Sequence, residues 1–236
     1  MFATVVNSLA IVVGTIAGLL IGRRLGASFR TVVFTAIGIS TLIIGLSMAL
    51  QSQRILLLVI SLVAGGLIGT ALRLEDRIFQ LGELIKTKVL KSSAAPGNAT
   101  FAEGFLVSSV LFCVGALAIL GSFQAGVEGN YQLLYTKSVM DGSMAILLTA
   151  AYGVGVGFSA LSVFLYQGAL TLLSGLLASY MTPLMISEIS GVGGAMVIMI
   201  GLNLLELRTI KTADFLPALV LMITFVALEP LILPLF

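Results

Sequence analysis

Charged residues are scarce in this chain of 236 residues: Asp, Glu, Lys and Arg make up 9% of the sequence, whereas hydrophobic residues make up 59%. Mean hydropathy is +1.18. Soluble domains carry about 25% charged residues, so the composition excludes a soluble globular protein. It predicts an all-α integral membrane protein.

Histidine is absent and Cys113 is the single cysteine, so no intramolecular disulfide can form. Without histidine or a cysteine pair, the usual zinc ligands are missing, and no G-x-x-x-x-G-K-[ST] loop is present to bind a nucleotide. We therefore expect no metal and no cofactor. The net charge of +2 gives no reason to expect nucleic-acid binding.

Charge-poor stretches of about 20 residues, each long enough to cross a bilayer core about 30 Å thick, occupy most of the sequence. They predict about eight transmembrane helices, with seven as the alternative, in one polytopic domain spanning residues 1–236. The predicted spans are 4–22, 32–50, 55–72, 101–121, 138–158, 163–181, 191–207 and 215–234.

The basic residues predict an orientation. Of the twelve Lys and Arg residues, all but Arg54 and Lys137 follow the first, third or seventh predicted span. Cytoplasmic loops retain positive residues. We therefore expect a multi-pass protein of the plasma membrane with both termini outside.

The segment 73–99 is the only substantial polar stretch. Leu74, Ile78, Leu81 and Ile85 recur at helical spacing among basic residues, which predicts an amphipathic helix on the cytoplasmic membrane surface. A mobile loop is expected to follow it. A docking or regulatory role for this helix remains an alternative to that of a plain interfacial linker.

Glycine marks two further features. Gly14, Gly18 and Gly22 recur at intervals of four, which favours close helix packing. In "YGVGVGFSALS", however, Gly153, Gly155 and Gly157 alternate and Ser159 follows, a spacing that is poor for a helix. This segment is either a broken helix against a cavity or a plain loop between two spans. Similar Gly-rich segments elsewhere also suggest a weak internal repeat.

A few polar residues in or near the spans are candidates for a solute or ion path. Lys137 and Asp141 lie four residues apart, just before residues 142–187, which contain no charge. On one helix they share a face and can pair; alternatively Asp141 or Ser138 caps the helix and Lys137 lies in water. The other candidates for this path are Gln167, Glu103 and Asn203.

Each of these other candidates also has a structural interpretation. Glu103 is either an interfacial carboxylate or the inner acid of a path. Asn7, Gln167 and Asn203 need hydrogen-bond partners inside a bundle, and structural hydrogen bonding is the default for all three.

Several motifs occur together and in order: "FAEGFLVSSVLFCVGALAILGS", "LLYTKSVMDG", "GVGFSALSVFLYQG", "GGAMVIMIGLNLLELRTIK" and "LPAL". Through them the whole chain resembles the YdfK/YqgA-like family of bacterial membrane proteins, domain of unknown function 554. The resemblance implies a multi-span inner-membrane protein and names no substrate.

Many predicted spans, little soluble mass and a few membrane acids favour a secondary transporter or channel for a small solute or monovalent ion. The alternative is a non-transport membrane protein that acts in assembly, signalling or lipid interaction. We do not expect an enzyme, because G-x-G-D, a Ser/His pair and H-E-x-x-H are all absent. The expected partners are the lipid bilayer, the solute or ion and, as an open option, further copies in a homo-oligomer.

Overall fold

The computed structural model describes residues 1–22, 27–80, 99–113, 116–177 and 181–232, and these residues are mostly helical, with no strand among them. Residues 74–80 are also helical, Gln124–Glu128 form a π-helical turn and Thr212–Phe215 a 3-10 turn. The main helices are α1 (Phe2–Gly22), α2 (Ala27–Ala49), α3 (Ile55–Leu72), α4 (Ala99–Cys113), α5 (Ala116–Phe123), α6 (Gln132–Tyr152), α7 (Gly155–Leu177), α8 (Pro183–Leu204) and α9 (Leu216–Ile232).

The predicted helical membrane class is confirmed. In the described part of the chain, five helices are long and apolar enough to cross a membrane, or six if the bent pair α4 and α5 forms one span. In α2, Thr35–Ala49 form a shorter apolar helix. Three predicted spans were placed too late in the sequence: those at 138–158, 163–181 and 191–207 correspond to α6, α7 and α8, which begin earlier.

Small residues let the helices approach closely. A Cβ atom on Gly14 of α1 would lie 2.3 Å from the carbonyl oxygen of Gly142 on α6, and one on Gly194 of α8 would lie 2.6 Å from that of Gly45 on α2. Helix pairs α1–α6 and α2–α8 therefore pack backbone to backbone, as small residues permit inside membranes.

The predicted break at Gly153, Gly155, Gly157 and Ser159 is wrong for all but the first of these residues. Gly153, with φ of +81°, and Val154 form a tight turn, and α7 begins at Gly155. The alternating glycines instead serve packing: a Cβ on Gly155 would lie 2.1 Å from the Phe101 carbonyl oxygen. The plain connection between two helices is therefore the correct alternative.

The structure bends a different segment. The fourth predicted span, 101–121, was expected to be one helix, but Phe101–Cys113 and Leu117–Glu128 are inclined at 54° to each other. The bend brings the end of α4 and the beginning of α5 to the border of a cavity, described below, that α6 also lines.

The amphipathic segment is described only in its first part. Residues 74–80 are helical and follow Arg73, whose φ of 51° ends α3 in the left-handed region. The remainder of the predicted helix and loop, residues 81–98, lies outside the described residues.

Candidate functional site

Lys137 and Asp141 form an ion pair in the interior of α6, where the Lys137 ammonium donates to Asp141 Oδ2. Their side chains are only 6% and 11% exposed. The pairing alternative is thus confirmed. The capping alternative is wrong, because α6 begins at Gln132, and the Ser138 hydroxyl donates to the Leu134 carbonyl within the helix.

Two buried amides extend the pair across three helices. Asn7 Nδ2, on α1, donates to Asp141 Oδ2 and to Gln167 Oε1 on α7, each at 3.0 Å. Both partners are acceptors, so only the amide nitrogen of Asn7 can face them. We call Asn7, Lys137, Asp141 and Gln167 the central polar cluster.

The cluster leaves polar atoms unpaired. Asn7 Oδ1 and Gln167 Nε2 are buried and have no hydrogen-bond partner among the described residues. Burying a polar group without a partner costs about 1–3 kcal/mol on mutational scales. Because native proteins pair nearly all such atoms, the cluster has hydrogen-bonding capacity to offer a ligand or water.

A cavity of about 390 Å³ lies against the charged pair. Lys137 and Asp141 form part of its wall, and Ser47 of α2 and Gln51, just after that helix, contribute further polar groups. Gln167, a candidate for the same solute or ion path, does not line this cavity, because it is 1% exposed and reaches Asp141 only through Asn7. The apolar lining consists of Ile43, Ile44, Met48, Leu111, Phe112, Leu117, Ala118 and Met140.

The remaining candidates, Glu103 and Asn203, lie together at another site. Both line a cavity of about 410 Å³ with Glu75, Glu206 and Arg208. The Asn203 side chain donates to the Ile210 carbonyl and accepts from the Ile210 N–H, each at 2.8 Å, so it fixes the loop after α8. The structure therefore groups Glu103 with Asn203, but neither of them with the central polar cluster.

Glu188 is a buried carboxylate that the sequence interpretation missed. It lies on α8 with 0% exposure, and its Oε1 accepts the backbone N–H groups of Gln53 and Arg54 at 2.7 and 3.1 Å. Oε2 accepts the Ser52 hydroxyl at 2.5 Å. Glu188 therefore neutralises the N-terminal end of α3, where free N–H groups favour an anion.

A helix-start signal could have identified Glu188. The span was predicted to begin at residue 191, but Thr182 accepts the Met185 N–H at 3.1 Å and Pro183 occupies the first turn of α8. Threonine before proline is a typical helix start. It places Glu188 well inside the helix.

Two carboxylates, Glu75 and Asp214, are hydrogen-bonded to the turn before α9 and to the residues after α3. Asp214 Oδ1 accepts the Glu75 N–H at 2.9 Å, and Glu75 Oε2 accepts the Ala213 N–H at 3.0 Å. Burial raises the pKa of Glu75 above its ordinary value. The hydrogen bond of 2.7 Å from Lys211 lowers the pKa of Asp76.

Metal ligation finds no support in the carboxylates described above. Within the described ranges, no three His, Cys, Asp or Glu side chains come together as metal ligands would. The central polar cluster contributes a single carboxylate, Asp141, which Lys137 and Asn7 contact directly, while Gln167 contacts Asn7.

Comparisons with known proteins match nearly the whole chain to one family of uncharacterised proteins. The family described as "Protein of unknown function (DUF554)" matches residues 2–227. "Uncharacterized membrane protein YdfK" of Bacillus subtilis (strain 168) is 31% identical over 225 residues, covering 94% of this chain and 93% of that protein. "Uncharacterized protein YqgA" of Escherichia coli (strain K12) is 25% identical over 216 residues, covering 92% of each. No solved structure matches the chain significantly.

Proposed function

The chain belongs to the DUF554 family, and we propose that this membrane protein is a secondary transporter or channel for a small solute or ion. The observation that carries the proposal is the buried Lys137–Asp141 pair beside a cavity. Ionisable groups within membrane-spanning helices usually mark substrate or ion pathways.

Stability alone is a weak reason for such a pair. A charge at the centre of a membrane helix costs at least about 2.5–3.5 kcal/mol. Replacing a buried ion pair by apolar residues is often neutral or stabilising. The cavity wall formed by Lys137 and Asp141 instead favours a role in which the two charges meet a solute.

The bend between α4 and α5 supports the same proposal. Secondary transporters typically bind substrates beside discontinuous helices. Leu111 and Phe112, near the end of α4, and Leu117 and Ala118, near the beginning of α5, border the cavity that the charged pair also lines. A bent helix of this kind can change its inclination more easily than a continuous one.

A second cavity, near the end of α6, supports the proposal of a path. It is lined by Ala151 and Tyr152 at the end of α6, whereas Lys137 and Asp141 lie in the first half of that helix. Eleven residues separate Asp141 from Tyr152, which corresponds to about 16 Å along a helix. Two cavities separated in this way along one helix fit a transporter in which the two cavities open alternately to the two sides of the membrane.

Proteoliposomes test the proposal. We would measure stopped-flow light scattering with glycerol, glycine, leucine, sodium chloride and potassium chloride as permeants. We expect at least one permeant to cross about tenfold faster than in empty liposomes. The double variant Lys137→Met/Asp141→Asn should lose that flux, whereas Glu229→Gln, which removes a more exposed partner of Arg54, should keep it. Wild-type rates equal to those of empty liposomes for every permeant would contradict transport.

A further inference from the structure

We propose that the ligand of the cavity beside Lys137 and Asp141 is a small zwitterion, with one ammonium and one carboxylate group on an apolar body. This inference rests on the proposed function and names its substrate class. The structural basis is that the cavity presents one cation, Lys137, and one anion, Asp141, on the same wall.

The charges of the site limit the ligand. Lys137 and Asp141 neutralise each other in the interior. A ligand with only a positive charge would bind Asp141 and leave Lys137 buried without a partner. A ligand with only a negative charge would bind Lys137 and leave Asp141 without one. Removing one partner of a buried pair is strongly unfavourable, whereas a zwitterion supplies a new partner to both.

Each residue then has a defined role. Lys137 binds the ligand carboxylate with charge-assisted hydrogen bonds, and Asp141 binds the ligand ammonium. Asn7 is a positioning residue: it holds Asp141 Oδ2 through Nδ2 at 3.0 Å, a contact that does not require Lys137. Asp141 can therefore keep its place when Lys137 turns to the ligand.

The polar groups on the cavity wall match both ends of a zwitterion. Ser47 and Gln51 line the cavity together with the charged pair, and a hydroxyl and a side-chain amide can each donate and accept hydrogen bonds. A carboxylate needs donors and an ammonium needs acceptors. The wall therefore offers both kinds of group beside the two charges.

The rest of the cavity defines the body of the ligand. Apart from the charged pair, Ser47 and Gln51, its lining is apolar and includes Ile43, Met48 and Phe112. The volume of about 390 Å³ lies at the lower end of the range of about 300–1,000 Å³ for small-molecule sites. An amino acid with an apolar side chain meets these requirements of charge, size and lining.

Binding is tested with ligands that differ by one charged group. We would measure the Tm of the detergent-solubilised wild-type protein with the L-amino acids alanine, valine, leucine, isoleucine, methionine and phenylalanine. Leucine has two matched controls: 3-methylbutylamine lacks the carboxylate and 4-methylpentanoate lacks the ammonium. We expect at least one amino acid to raise Tm by about 3 to 6 °C at about ten times its Kd. Both single-charge controls should leave Tm unchanged.

The double variant Lys137→Met/Asp141→Asn keeps the volume of the site and removes both charges, so it should fold and show no amino-acid shift. Three outcomes overturn the ligand class: no shift with any amino acid, an equal shift with a single-charge control, or an undiminished shift in the double variant.

Flux measurements separate this inference from the function on which it rests. Amino-acid binding without flux in proteoliposomes would keep the ligand class and overturn transport. Flux of sodium or potassium without amino-acid binding would keep transport and overturn the ligand class. Amino-acid binding together with amino-acid flux supports both.

Discussion

The Glu188 carboxylate accepts the Ser52 hydroxyl at 2.5 Å, so that α8 holds the connection between α2 and α3. The same carboxylate also accepts two backbone N–H groups at the beginning of α3. This contact joins residues 136 positions apart in the sequence.

Glu188→Gln should lower the free energy of unfolding by about 1.5–3 kcal/mol, the range for hydrogen bonds to a charged group. Thermal unfolding in detergent measures the change. Glu229→Gln is the matched control, because the Arg54–Glu229 pair is more exposed and should contribute about 0–1 kcal/mol. Equal effects of the two substitutions would contradict the capping role of Glu188.

Asp141→Asn should be strongly destabilising, by about 3–5 kcal/mol, because it leaves the Lys137 ammonium buried without its anion. The double variant Lys137→Met/Asp141→Asn should recover most of this loss, since no unpaired charge remains. Thermal stability of the single and double variants provides the measurement. A single variant as stable as the wild type would show that Lys137 reaches water.

Gly14→Ala should destabilise the α1–α6 contact by about 1–3 kcal/mol or more, the cost of overpacking, because the new Cβ atom would lie 2.3 Å from the Gly142 carbonyl oxygen. Gly175→Ala is the matched control: Gly175 lies on α7, and a Cβ there meets no atom within 4 Å. That control should be neutral or stabilise the helix slightly. Melting temperatures that rank the two variants in the opposite order would contradict the packing.

Glu75→Gln should change how stability depends on pH. Burial raises the pKa of Glu75 in the folded state above its ordinary value of 4.5. The stabilising contribution of protonated Glu75 is therefore complete below that value and is lost as pH rises through the folded pKa. Measured against pH, the Tm of the wild type should fall relative to that of the variant over this window.

Asp76→Asn should change the pH dependence of stability in the opposite direction to Glu75→Gln. The pKa of Asp76 is lowered by the hydrogen bond from Lys211, so its contribution is present above the ordinary value of 3.8 and is lost as pH falls through the folded pKa. If the difference in Tm from the wild type changed with pH in the same direction for both variants, the raised pKa of Glu75 and the lowered pKa of Asp76 would be contradicted.

Orientation is tested by cysteine labelling in a Cys113→Ala background. The distribution of basic residues predicts that a cysteine at Asn130 reacts with an impermeant thiol reagent added outside the cell. A cysteine at Ser93 should react only after the membrane is opened. The reverse pattern would invert the topology.

A local rule offered the pairing of Lys137 and Asp141 as one of two alternatives. Lys137 and Asp141 share a helix face at a spacing of four residues, and the structure pairs them. Glu188 was missed because hydropathy alone assigns a charged residue to a loop. The bend between α4 and α5 was missed because "CVGALA" reads as one apolar helix.

The sequence alone determined the membrane class and the helical secondary structure, because hydropathy and helical periodicity are properties of neighbouring residues. The tertiary structure decided that Lys137 and Asp141 pair rather than cap the helix. Only the tertiary structure decided that Asn7 joins Asp141 to Gln167 and that Glu188 caps α3. It also decided that Gly155 and Gly157 belong to α7, where they let this helix pack closely against α4 and α1. Such contacts depend on which helices become neighbours. In a membrane, that choice is made by close packing and buried hydrogen bonds between segments far apart in the sequence.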